Sequence, residues 1–240
     1  MAGSSSIDDS LPSESPLRAF RPCRTAPASS IVDLRNLLAE RYPQTPPLPA
    51  GRLSTGLVAL DAATDGGLPK GAITELTSPH LSAGSALLIS ALLEAAHRER
   101  RFLALIDGAD SFDPQPLGNA RLRHLLWVRC AKAIEAVKAA DLLLRDGNFP
   151  VLVLDLVLNR ADELGKIPQA SWYRLQRLVE AVPTALLVLT RRSIISSAQI
   201  KLMLENTWTL AQLEEENSIA RLKFHVQRMH GGRVAMAGAS

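Results

Sequence analysis

The run VLVLDL, residues 151–156, is apolar at every position except Asp155. A strand with one wet face would alternate polar and apolar residues, so this one has to be covered on both faces. That is the environment of a central strand in a parallel sheet flanked by helices. Working outward from it, comparable apolar runs at 72–77, 102–107, 125–128 and 184–189 read as further strands. Between them, residues 85–100, 131–146 and 171–181 read as helices, the last two with apolar side chains three and four residues apart. The alternation predicts an α/β fold: a mostly parallel, twisted, doubly wound sheet with helices on both faces. Near the end, 207–213 and 220–227 read as two strands around the polar turn EEENS, predicted to pair antiparallel at the sheet edge. The stretch SIISSAQIKLMLENT, 193–207, reads as a helix and has no glycine.

The chain has 240 residues, 47% of them hydrophobic, enough for one sizeable core. A formal charge of +3 is compatible with nucleic acid or an acidic partner and requires neither. Cys23 and Cys130 lie far apart and outside any C-x-x-C pair, which fits free thiols in a reducing compartment. The expected location is the cytoplasm, since no apolar run reaches membrane-span length and MAGSSSIDDS lacks the basic start and apolar centre of an export signal. Residues 1–30 are rich in Ser and Pro and read as a disordered tail. An amphipathic helix is expected at 31–43, with Ile31, Leu34, Leu37 and Leu38 on one face behind Ser30 as a cap, then a proline-rich linker at 44–52. The main domain is expected at 53–233 and a frayed end at 234–240. The five histidines, His80, His97, His124, His225 and His230, show no metal-ligand spacing. Trp127, Trp172 and Trp208 read as packing residues.

The segment LSTGLVALDAATDGGLPKGAITEL, 53–76, carries STG at 54–56, LD at 60–61, GGLP at 66–69, Gly71 and a strand with Glu75 near its end. In that order these resemble the entry into the ATPase core of the RecA recombinases. The resemblance continues through LIDGADSFDP at 105–114, the Walker B-like strand at 151–155 and ARLKFHVQRM at 220–229, about three quarters of the chain. It implies a P-loop, G-x-x-x-x-G-K-[ST], after the first core strand, where backbone N–H groups and a lysine hold phosphates.

Here that stretch reads SPHLSAGS. With Ser78 and Pro79 at its start, Ser82 lies inside the loop, Ala83 stands at the second glycine, Gly84 at the lysine and Ser85 at the magnesium-binding hydroxyl. One charge near a phosphate contributes about 4 kcal/mol at an effective dielectric of ~20, roughly a thousandfold in affinity, and Gly84 supplies none. Ala109 stands where the resemblance puts the catalytic glutamate, with Asp110 beside it. Asp107 and Asp155, at strand ends, complete a degenerate nucleotide site at the carboxyl edge of the sheet. The expectation is a chain without ATPase activity and without a bound cofactor, ATP and magnesium included.

Basic residues concentrate late in the chain: Arg191, Arg192, Lys201, Arg221, Lys223, Arg228, His230 and Arg233. They are candidates for a surface that meets DNA or a protein partner, balanced by Glu205, Glu214, Glu215 and Glu216. A degenerate RecA-like core behind such a tail resembles the ImuA family of mutagenesis accessory proteins, with WVRC at 127–130 and LKFHVQRMHGG at 222–232 as further points of likeness. That resemblance implies a role in SOS, damage-induced translesion synthesis. The implied partners are an ImuB-like, inactive Y-family polymerase homologue and an error-prone polymerase subunit. It also implies DNA contact, direct or through partners, association with RecA or with itself, and a place at the nucleoid. Two other readings carry different signals: a DNA-dependent ATPase, which needs the missing lysine, and a SulA-type cell-division inhibitor. The helix at 31–43 is a candidate docking element.

Overall fold

The computed structural model describes residues 51–229 apart from 214 and 216. The expected tail, the helix at 31–43, most of the linker, the end of the chain, Arg233 and His230 lie outside them.

The chain enters the described region through β1 (Arg52–Leu53), α1 (Val58–Ala63) and β2 (Leu68–Pro69), with β1 and β2 paired antiparallel. The Ser-Thr-Gly and Leu-Asp spacing has a local cause. The Asp61 carboxylate accepts the Ser54 hydroxyl at 2.8 Å, the Thr55 N–H at 2.8 Å and the Thr55 hydroxyl at 2.7 Å, which ties the loop to the helix. Gly67, at φ +128, lies so close to β1 that a Cβ would come within 2.2 Å of the Leu53 carbonyl oxygen, so the GG turn accepts no side chain there.

The main sheet has seven strands: β3 (Ala72–Thr77), β4 (Leu103–Asp107), β5 (Leu125–Arg129), β6 (Val151–Asp155), β7 (Ala185–Thr190), β8 (Ile200–Leu204) and β9 (Phe224–Met229). Their spatial order is β5-β4-β6-β7-β3-β8-β9, parallel throughout except for the β8–β9 pair. The helices are α2 (Ser85–Arg98), α3 (Gly118–Leu122), α4 (Ala133–Asp146), α5 (Ala161–Gly165), α6 (Gln169–Glu180) and α7 (Leu210–Leu213).

The period of two along β6 shows why both faces had to be covered. Val151 and Val153 join the core beneath α2, where Leu88, Leu92 and Leu93 pack, while Leu152 and Leu154 join the one beneath α4 and α6, with Ala140, Leu144, Trp172 and Leu175. Each buried leucine contributes about 2 kcal/mol of transfer free energy, and the two layers hold the sheet between them. The expected doubly wound α/β architecture is the one observed.

The expectations at the end of the chain are corrected. The run at 193–207 is not a helix: residues 200–204 form β8, with Ile200, Leu202 and Leu204 buried and Lys201 and Met203 half-buried. That two-residue alternation fits a strand between neighbours and leaves no apolar stripe for a helix. Nor is 207–213 a strand, because residues 210–213 form α7. An antiparallel edge pair does exist, but it joins β8 to β9.

Candidate functional site

The carboxyl edge of the sheet gathers the loops after β3, β4, β6 and β7. The candidate nucleotide loop follows β3. Ser78 is buried; its N–H donates to the Thr190 carbonyl at 2.7 Å and its hydroxyl to the His80 carbonyl at 3.2 Å. Pro79 and Ser82 are half-buried, Ala83 is fully buried, and α2 begins at Ser85 directly after Gly84.

Gly84 has φ +104, and a Cβ there would meet Trp208 Nε1 and Leu222 Cδ2, each at 2.9 Å. The Trp208 backbone N–H donates to the Ser82 carbonyl at 2.9 Å, fixing the tryptophan against the loop, and the Arg221 guanidinium lies 5.4 Å from the centre of its ring. The space a side chain at 84 would enter is therefore filled by residues from the far end of the chain. Trp208 and Leu222 are themselves uncharged and present packed indole and leucine where a lysine at 84 would reach, so a triphosphate held by a lysine at 84 does not fit here. Reading the three tryptophans as packing residues did not identify Trp208 as the residue covering this loop. No local signal marks a contact made across more than 120 positions.

Asp107 and Asp155 stand opposite each other on the neighbouring parallel strands β4 and β6. Asp107 is buried and engaged: it accepts the N–H groups of Ser111 and Phe112 at 2.8 Å each and of Ala109 at 3.3 Å, which shapes the turn after β4. Asp155 accepts one N–H, from Val157 at 3.0 Å. Burial pushes its carboxyl up to about 6, and the neighbouring Asp107 adds to the rise against that hydrogen bond. Asp110, beside the position of the expected glutamate, is turned to the edge strand, where Arg129 holds it through two hydrogen bonds of 2.5 and 2.8 Å. That contact lowers its pKa below the usual carboxylate value.

Glu75 is a functional-looking acid that resemblance noted without assigning a role. It is completely buried, yet it accepts the Ile194 N–H at 2.6 Å, the Ile195 N–H at 3.0 Å and the Ser193 hydroxyl at 2.8 Å, and pairs with Lys201 at 3.0 Å. An acid inside an otherwise apolar strand was the available signal, since a buried charge needs partners.

The structure separates the basic candidates. Lys201 belongs to the Glu75 cluster. Arg221 pairs with Glu215, and Arg228 donates to the Ser196 and Ala198 carbonyls at 2.8 and 2.6 Å. Lys223, Arg191 and Arg192 are exposed and have no ion-pair partner among the described residues. Arg191 and Arg192 border a pocket of about 510 Å³ with Pro79, Leu158, Arg160 and Ile194. Among the described residues no three His, Cys, Asp or Glu side chains gather to hold a metal, and no helix is long and apolar enough to cross a membrane.

No family model matches the chain. It is 34% identical over 121 residues to Protein RecA of Gluconobacter oxydans (strain 621H), covering 49% of this chain and 34% of that one. It is also 34% identical over 109 residues to Protein RecA of Chlorobaculum tepidum, covering 44% of this chain and 31% of that one. The chain thus spans about a third of the length of the curated relatives it matches. The partial likeness supports a RecA-like relationship, in keeping with the order of the sheet.

Proposed function

We propose that this chain is a non-catalytic, RecA-like accessory protein of damage-induced translesion DNA synthesis. In this reading it acts by contact with an ImuB-like, inactive polymerase homologue and an error-prone polymerase subunit. The similarity to proteins named RecA supports work on damaged DNA. The observation that carries the accessory role is Gly84: at a position where a phosphate-binding fold needs a cation, the backbone bears no side chain and Trp208 and Leu222 lie against it. Asp110 adds support, since Arg129 holds the acid nearest the catalytic position. Partner binding then takes over the role that hydrolysis has in an ATPase.

Two measurements test this. Titration of the purified chain with magnesium-ATP is expected to show neither binding nor turnover; turnover abolished by Ser85→Ala or Asp155→Asn would establish an enzyme instead. Affinity capture of the tagged chain from damaged cells is expected to enrich polymerase subunits. Enrichment of cell-division proteins in their place would favour the division-inhibitor reading.

A further inference from the structure

The pocket at the ends of β6 and β7 is apolar inside and cationic at its rim. Pro79, Leu158, Leu164 and Ile194 supply aliphatic surface, and no aromatic residue lines it. Leu158 is 51% exposed, an unusual placement for a leucine beside so well-packed a strand. At the rim, Arg191 and Arg192 lack carboxylate partners among the described residues, whereas Arg160 pairs with Asp162 at 3.0 Å. Glu163, the other nearby acid, is engaged by the Ala133 N–H and by Asn159.

The wall that carries the two arginines is held in place before anything binds. Glu75 accepts the N–H groups of Ile194 and Ile195 and the Ser193 hydroxyl, so the segment leaving β7 is anchored to the neighbouring strand β3. Such anchoring lowers the ordering cost of binding. On the opposite wall, Asn159 donates to the Gly108 carbonyl at 2.7 Å, which fixes the turn bearing Leu158 and Arg160.

We infer that this pocket is the docking site for an acidic segment of a partner protein that inserts an aliphatic side chain between Leu158 and Ile194 and sets its carboxylates on Arg191 and Arg192. Charge complementarity selects an acidic occupant, and the lining selects a protein over a nucleic acid. Single-stranded nucleic acid is gripped by stacking its bases on aromatic side chains, and this pocket offers none. An aliphatic anchor in an apolar hollow with a charged rim is a peptide-binding arrangement. The assignment rests on the accessory reading above, and it is measured separately from ATP turnover, so either can fail alone.

The test selects short random peptides displayed on phage against the full chain, and in parallel against the Arg191→Glu/Arg192→Glu and Leu158→Asp variants. All three are checked for equal thermal unfolding, which the exposure of these positions leads one to expect. Selected sequences are expected to combine aspartate or glutamate with leucine, isoleucine or valine. As synthetic fluorescent peptides they are expected to lose about tenfold or more in affinity on each variant, and to weaken as salt is raised. Three results overturn the inference. Selected sequences that bind both variants as well as the native chain place the docking elsewhere. A short fluorescent single-stranded oligonucleotide that binds more tightly than the peptides, and loses binding on the same variants, gives the pocket to nucleic acid. Peptide affinity that rises when residues 1–44 are deleted gives it to this chain's own N-terminal segment.

Discussion

Two neighbourhoods on the same edge of the sheet have opposite characters. The loop after β3 is closed: Gly84 is buried beneath Trp208 and Leu222, and the carbonyl of Ser82 is taken by the Trp208 backbone N–H. The hollow past β6 and β7 is open, with exposed Arg191 and Arg192 beside exposed Leu158. An open α/β sheet brings its ligand-binding loops together at this edge. The contrast shows that packing can fill the space over one of these loops while the sheet still holds its neighbours in position. Substitutions in the closed region should therefore register as stability, and those in the open region as binding.

The largest effect is expected from Gly84→Lys. A side chain at positive φ, pressed on indole and leucine, should cost about 3–4 kcal/mol in chemical denaturation, combining backbone strain with overpacking. It should gain no ATP binding. A stable variant that binds ATP would erase the contrast. Next comes Glu75→Ala, which strands Lys201 and two backbone N–H groups; about 3 kcal/mol of destabilisation is expected by the same measurement.

A smaller effect of opposite sign is expected at Asp155. Its carboxyl titrates at about 6 in the folded protein, above its ordinary value of 3.8, so the folded state holds a proton that the unfolded chain has released between those values. Stability therefore falls as pH rises through that window, and the loss is complete above it. Asp155→Asn removes the charge, and should stabilise the protein by about 1–2 kcal/mol at pH ~8, allowing for the residue's partial exposure, with the gain vanishing below pH ~4. Denaturation series at several pH values check it. The smallest effect on folding is expected for Arg191→Glu/Arg192→Glu, with a melting temperature within about 2 °C of the native chain. A large drop would mean that the open rim is structural.

Much of this fold could be read directly. Residues 151–154 are apolar on both sides, and such a strand has few places to go except between two helical layers. The misreading came at 193–207, where Ile194 and Ile195 precede Ile200, Leu202, Met203 and Leu204. The dense apolar content hid the two-residue alternation that β8 uses. At the candidate site, the absence of a lysine at 84 was visible, but what fills the space was not, because Trp208 and Leu222 arrive from the segment between β8 and β9. The pocket was equally hidden. Arg191 and Arg192 stood out as charges, while Leu158 and Ile194, from two separate loops, become a surface only once β6 and β7 lie side by side.

The contact between Gly84 and Trp208 also constrains how this chain can change. Lysine at 84 alone collides with the indole, and shortening the indole alone leaves a hole in the packing around Leu222. Each single step is unfavourable on its own, and only the pair together begins to open the loop. Changes at 84 and 208 should therefore be tolerated better together than singly, and variation there should be rare and correlated.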